Sequence, residues 1–225
     1  MSLTLTRLSR SSWFKIEYKE IIIHIDPGYA GVFENQNIPL KELEDRADYI
    51  CITHCHKDHL RIDMIEKMVD ANTTIIGPKC CKEEIKQPMI VVRAKDALEF
   101  DEVKSKVVDA YNTPQGKSIN KYHKKGEFVG FVIEVGGKRL YFAGDTDLID
   151  EMYQLGVIDV ACIPIGGTYV MYPDEALLAV RAIKPQMVIP MHEANEDVYG
   201  FIDEVKKYGI ETIVLKIGEK ANIAY

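Results

Sequence analysis

Apolar positions along the chain fall mostly into short runs. From the N-terminus, Met1-Ser2-Leu3-Thr4-Leu5-Thr6-Arg7 alternates apolar and polar residues as a half-buried strand does. Trp13 to Tyr18 and Ile21 to Ile25 predict two strands joined by a turn at Lys19-Glu20. A short helix is expected over Lys41 to Ala47 and a buried strand over Tyr49 to Thr53, and Ile62, Ile65, Met68 and Val69 then recur at helical spacing. Strands at Thr73 to Gly77 and Met89 to Arg93 flank a helix around Cys80 to Lys86. Strands are also expected at Val103 to Tyr111, Phe128 to Val135 and Lys138 to Ala143, the last two joined by a hairpin turn at Gly136-Gly137.

Later segments alternate strand and helix. A helix beginning near Ile149 and closed by Gly156 leads to a strand at Asp159 to Ile163. Pro173 opens a helix with the stripe Ala176, Leu177, Val180 and Ile183, and a strand at Met187 to Met191 follows. Asn195 is expected to cap a helix carrying Val198, Phe201, Ile202, Val205 and Tyr208, stopped by Gly209 before a last strand at Thr212 to Ile217. In each half, consecutive strands give way to strands alternating with helices. That order predicts two sheets packed face to face with helices outside, in one domain over residues 1–225.

Composition narrows the class. The chain has 225 residues, 47% of them hydrophobic, which is ample for one core. It holds no run of 18 apolar residues, and its N-terminus lacks the apolar core of a signal peptide. Five cysteines, an odd number set in or beside apolar runs, point to a reducing, cytoplasmic setting rather than a disulfide framework. A net charge of −7 argues against a nucleic-acid partner.

Chemistry concentrates in Thr53-His54-Cys55-His56-Lys57-Asp58-His59. A chance match to His-x-His-x-Asp-His in a chain of this composition is on the order of a few in ten thousand. In extended backbone His54 and His56 point to one side and can grip one ion, while Asp58 and His59, from the turn beyond, can reach a second. Imidazole with carboxylate and no thiolate suits a catalytic zinc, iron or manganese site. Asp145, in Gly144-Asp145-Thr146, is thrown off a strand tip much as His54 is, and His192 follows a strand directly. His123 lies in a loop over 112–125 with four lysines, which serve either as a solvated face or to attract an anionic substrate. Asp26 ends a strand and is either a plain turn former or a support for the site. His24, inside an Ile-rich strand, reads as a packed core or surface residue rather than a ligand.

These residues carry a resemblance. The His54-x-His56-x-Asp58-His59 motif, His123, Gly144-Asp145-Thr146 and Pro190-Met191-His192 resemble the metallo-β-lactamase superfamily. Asp26-Pro27, the strand Gly130 to Glu134 and the stretch Ile163 to Tyr169 make the chain similar to its small metal-dependent hydrolases of the L-ascorbate-6-phosphate lactonase-like group. Two departures stand out: Arg10-Ser11-Ser12 replaces a Gly-His pair frequent in relatives, and Val170 and Tyr172 stand where relatives often carry threonine and a small polar residue.

The resemblance implies a four-layer αββα sandwich with a binuclear site. His54, His56 and His123 would hold one metal, Asp58, His59 and His192 the second, and Asp145 would bridge them. Two divalent ions, zinc first with manganese or iron as alternatives, would share a hydroxide that cleaves a small ester, lactone or phosphodiester, with Asp58 as the catalytic proton carrier. The competing readings are a nuclease of the transfer-RNA 3′-end type and a non-catalytic metal-binding or sensor protein. Small-molecule substrates are expected, with no nucleic acid and no membrane; a homo-oligomer is left open.

Overall fold

Residues 2–31 and 37–224 are described by the structure, a computed structural model. By internal contacts the chain divides into two units, Met1–Val92 with Leu215–Tyr225, and Arg93–Val214. Each is built on one seven-stranded mixed sheet among the described residues.

In the first unit the strands are β1 (Leu3–Arg7), β2 (Phe14–Tyr18), β3 (Ile21–Ile25), β4 (Tyr49–Cys51), β5 (Thr74–Gly77) and β6 (Met89–Val91). In the second they are β7 (Ala97–Phe100), β8 (Val103–Ala110), β9 (Phe128–Val135), β10 (Lys138–Phe142), β11 (Val160–Pro164), β12 (Met187–Met191) and β13 (Glu211–Thr212). The final strand β14 (Lys220–Ile223) returns to the first sheet, whose order is β14-β1-β2-β3-β4-β5-β6, antiparallel up to β3 and parallel beyond it. The second sheet runs β13-β12-β11-β10-β9-β8-β7, antiparallel from β7 to β10 and parallel from β10 to β13. The switch from consecutive strands to strands separated by crossovers is thus present in both units, as the residue pattern predicts.

Parallel strands read as unbroken apolar runs because helices and turns cover them. Every residue of β11 and β12 is buried, whereas β8 starts with alternating buried and exposed positions, Val103 and Ser105 in, Lys104 and Lys106 out. Pro190 lies within β12 without breaking it. Strand β13 pairs only with Met187 and Val188, so at Pro190 the missing N–H has no second sheet neighbour to serve.

Crossovers are shorter than the sequence suggests. Expected helices over Lys41–Ala47, Cys80–Lys86 and after Ile149 are single 3-10 turns at Leu40–Leu43, Lys79–Glu83 and Asp150–Gln154. Among the described residues, true helices are α1 (Ile62–Met68), α2 (Pro173–Ile183) and α3 (Val198–Lys206). Asp197, not Asn195, caps α3, its Oδ1 accepting the Gly200 N–H at 2.9 Å. The strand expected over Thr212–Ile217 stops at Thr212, because Arg7 draws the next segment to the first sheet. Its guanidinium donates to the Leu215 carbonyl, and its own carbonyl accepts the Gly218 N–H at 2.7 Å.

Candidate metal centre

The parallel strands deliver the chemistry at their C-terminal ends, where open α/β sheets carry their ligands. Asp26 follows β3, the Thr53–His59 loop follows β4, Asp145 follows β10 and His192 follows β12. The structure brings His54, His56, Asp58 and His59 together in the first unit, and His123, Asp145 and His192 in the second.

In the first unit Asp26 is the organising carboxylate. It is fully buried and sits at a φ of 50°, a left-handed conformation that aspartate tolerates better than most residues. Its Oδ1 accepts the Thr53 N–H at 2.6 Å, and its Oδ2 accepts the Thr53 hydroxyl at 2.8 Å, the Ser12 hydroxyl at 3.2 Å and His59 Nδ1 at 2.8 Å. Ser12 Oγ is also 2.8 Å from His59 Nδ1. Because Thr53 gives its one proton to Asp26, its oxygen is left to accept from His54 Nδ1 at 3.0 Å. Both Nδ1 atoms are therefore engaged as donors, which makes Nε2 the lone-pair nitrogen of His54 and of His59.

Packing within this loop is tight. The rings of His54 and His59 lie 3.9 Å apart, centre to centre, and those of His54 and His56 meet edge-on at 4.6 Å. A Cβ on Gly28 would fall 2.4 Å from the His59 backbone, so the chain after Asp26 comes this close only with glycine there. Asp58 is half-buried, more open than His54 and His59 and less so than the exposed His56. Its Oδ2 accepts from Ser11 Oγ at 3.3 Å and lies 3.6 Å from His59 Nε2.

In the second unit Asp145 Oδ2 lies 3.4 Å from His123 Nε2 and 3.5 Å from His192 Nε2. Asn112 positions His123 from behind, its Oδ1 accepting the His123 N–H at 2.9 Å and Nδ1 at 3.1 Å. The same amide donates to the Tyr169 carbonyl at 2.9 Å and to Asp147 Oδ1 at 3.3 Å. Asp147, fully buried, also takes the Thr113 N–H at 2.8 Å and Lys121 Nζ at 2.9 Å, tying the 112–123 loop to the end of β10. His192 has a φ of 50°, and a Cβ on Gly166 would come within 2.2 Å of its carbonyl oxygen, so glycine is what lets the β11 loop pass.

The four loop lysines each face a carboxylate: Lys117 with Asp174, Lys121 with Asp147, Lys124 with Glu127 and Lys125 with Glu151. This removes much of the support for reading them as an attractor of anions. His24 is wholly buried and accepts from Trp13 Nε1 at 3.0 Å. Burial first, then the nearby Lys15 charge, pushes its pKa down to about 3, so it is a neutral core residue. Ser11, Ser12, Thr53, Asn112 and Asp147 were not singled out for roles at the centre by sequence reasoning; only Thr53, next to His54, offered a local signal.

The donor set fits a metal: His54 and His59 in the first unit and His123 in the second have Nδ1 held from behind, and in the second unit the Asp145 carboxylate faces Nε2 of His123 and of His192. The sequence matches the family described as a Beta-lactamase superfamily domain over residues 4–192. The chain belongs to the metallo-β-lactamase superfamily. It is 34% identical over 212 residues to a UPF0173 metal-dependent hydrolase of Symbiobacterium thermophilum, covering 87% of this chain and 89% of that one. A Listeria innocua protein of the same description is 31% identical over 232 residues, covering 94% and 96%. A solved Parabacteroides distasonis structure, classed as a metal-dependent hydrolase, matches with a TM-score of 0.84 at 28% identity over 95% of this chain and 94% of that one. The two mixed sheets are those of the metallo-β-lactamase fold, and metal-dependent hydrolysis is the class of activity that goes with this family. No helix among the described residues is long and apolar enough to cross a membrane.

Proposed function

We propose that the chain is one domain that holds two divalent ions, zinc first with manganese or iron as alternatives, and that it hydrolyses a small ester, lactone or phosphodiester. His54, His56 and His123 would hold one ion, Asp58, His59 and His192 the other, with Asp145 shared. The observation that carries this reading is the partner behind three of the five rings. Thr53 on His54, Asp26 on His59 and Asn112 on His123 hold Nδ1 and make Nε2 the presented atom. The segment matched to the family, 4–192, includes all seven residues and runs across both units, which supports a single domain. Five cysteines with no disulfide among them suit a reducing compartment such as the cytoplasm.

When bound, two such ions supply water activated near neutral pH and polarise the carbonyl or phosphoryl oxygen under attack. The chain's own part is positioning and proton transfer. Asp26 and Thr53 fix the tautomers of His59 and His54 before any substrate arrives. Asp58, which accepts from Ser11, would take a proton from the attacking water and return it to the leaving group, a role worth about 10²–10⁴-fold in rate.

The test is a panel of phosphodiesters, lactones and thioesters offered to metal-loaded protein, followed by Asp58→Asn on whichever substrate turns over. Asn keeps size and one oxygen, so turnover should drop by about 10²–10⁴-fold at matched metal loading. Turnover within a few-fold of the parent would reduce Asp58 to a structural residue before α1.

A further inference from the structure

With its lysines matched to carboxylates, the 112–125 loop still presents two apolar side chains to solvent. Ile119 is 64% exposed, and Tyr122, the residue before His123, is 63% exposed. Tyr169, in the loop after β11, is 41% exposed, and its ring lies 5.6 Å from that of Tyr122, centre to centre, tilted by 40°. Sheet topology explains why they meet. The 112–125 loop joins β8 to β9. Strand β9 is antiparallel to β8 and β10, and β10, β11 and β12 are parallel, so both loops leave the edge that carries Asp145 and His192. The loops are fixed to each other and to the site. The N–H groups of Ile119 and Asn120 donate to the carbonyls of Gly167 at 3.2 Å and Thr168 at 2.8 Å. Asn112 donates to the Tyr169 carbonyl at 2.9 Å while its Oδ1 holds His123 Nδ1. Gly166, three residues before Tyr169, passes against the His192 carbonyl.

We infer that Tyr122 and Tyr169, with Ile119, bind a flat apolar group of the substrate, an aryl ring foremost. The inference rests on the hydrolytic reading above and narrows its substrate to one that carries such a group. Tyrosine suits the task, because it offers a large, rigid face with only two torsions to fix. A ring pair already held by its loops needs little further ordering, and a third ring adds to it by offset or edge-on contact. A neutral group fits better than an anionic one, since the flanking Lys121 and Lys124 face Asp147 and Glu127. Three side chains are too few for a stable contact with a second protein, which takes about 800 Å² on each partner. The packing alternative is that the two rings only staple one loop to the other and keep His123 in place.

The experiment takes the full, zinc-supplied chain with carbon-13 in its tyrosine rings and adds 2-naphthylacetate, with cyclohexylacetate for comparison. The ring signals of Tyr122 and Tyr169, identified by their loss in Tyr122→Phe and Tyr169→Phe, should shift with the naphthyl probe and much less with the cyclohexyl one. Those of Tyr153 and Tyr199, 62% and 65% exposed on the Asp150–Gln154 turn and on α3, should stay in place. The second arm compares a phenyl-bearing with a methyl-bearing member of whichever substrate class turns over. The preference for phenyl in kcat/KM should fall by about 2–10-fold in Tyr122→Ala and in Tyr169→Ala, survive in Tyr122→Phe and stand unchanged in Tyr199→Ala. Both alanine variants should keep the parent's metal content. Equal shifts at all exposed tyrosines, an unchanged preference, or metal loss with both substrates slowed alike would each overturn the inference. So would a dimeric parent with monomeric alanine variants, which would make the rings a self-contact. If nothing is hydrolysed while Tyr122 and Tyr169 still shift, the hydrolytic reading fails and the aryl site stands. If substrates turn over and the two rings stay silent, the inference alone fails.

Discussion

Asp26 concentrates more of the site's chemistry than any residue of the histidine motif itself. One buried carboxylate takes hydrogen bonds from Thr53 N, Thr53 Oγ1, Ser12 Oγ and His59 Nδ1. Replacing it by Asn removes the charge that favours Nδ1–H on His59 and presents an amide that cannot accept on both sides. Supporting groups of this kind typically contribute 10–100-fold in metal affinity, so Asp26→Asn should weaken zinc retention by about that factor in a chelator competition. Unchanged retention would make Asp26 a turn former and nothing more. The motif His54-x-His56-x-Asp58-His59 was legible because its donors are close in sequence and of unusual types. Ser12 and Asn112 were not, because serine and asparagine are ordinary loop residues whose meaning lies in what the fold places against them.

At the scale of elements, strands that bury both faces were the easiest to read: β11 and β12 announce themselves by unbroken apolar runs. Strands that depend on a distant partner were not. Lys220–Ile223 is a strand because β1, more than two hundred residues earlier, offers an open edge, and Ala97–Phe100 because β8 folds back on it. The 112–123 loop has a comparable logic, since its order comes from Asp147 on the far side of the β9–β10 hairpin. Asp147→Ala removes the acceptor for Thr113 N and Lys121 Nζ together. Unfolding free energy should fall by about 1–3 kcal/mol in denaturant titration, with weaker metal retention through the displaced His123. Lys124→Ala, which removes only a surface pair with Glu127, should change stability by no more than about 0.5 kcal/mol. Equal effects from the two variants would mean that Asp147 does not organise the loop.

For the whole molecule, the two units repeat one plan: antiparallel strands first, then parallel strands with crossovers, with histidines or carboxylates at the C-terminal strand ends. Family membership was legible because the residues that carry it are donors that a metal demands in a fixed order along the chain. A substrate leaves no such mark. The loop side chains that recognise one follow no donor rule. The central claim, proposed above, is that His54, His56, Asp58, His59, His123, Asp145 and His192 hold two ions. Elemental analysis of protein purified gently without chelator tests it most directly. The account predicts close to two zinc, manganese or iron ions per chain, a marked loss from both sites in Asp145→Ala, and no change in His24→Asn, which keeps an acceptor for Trp13. Metal-free protein, or full metal content in Asp145→Ala, would contradict it.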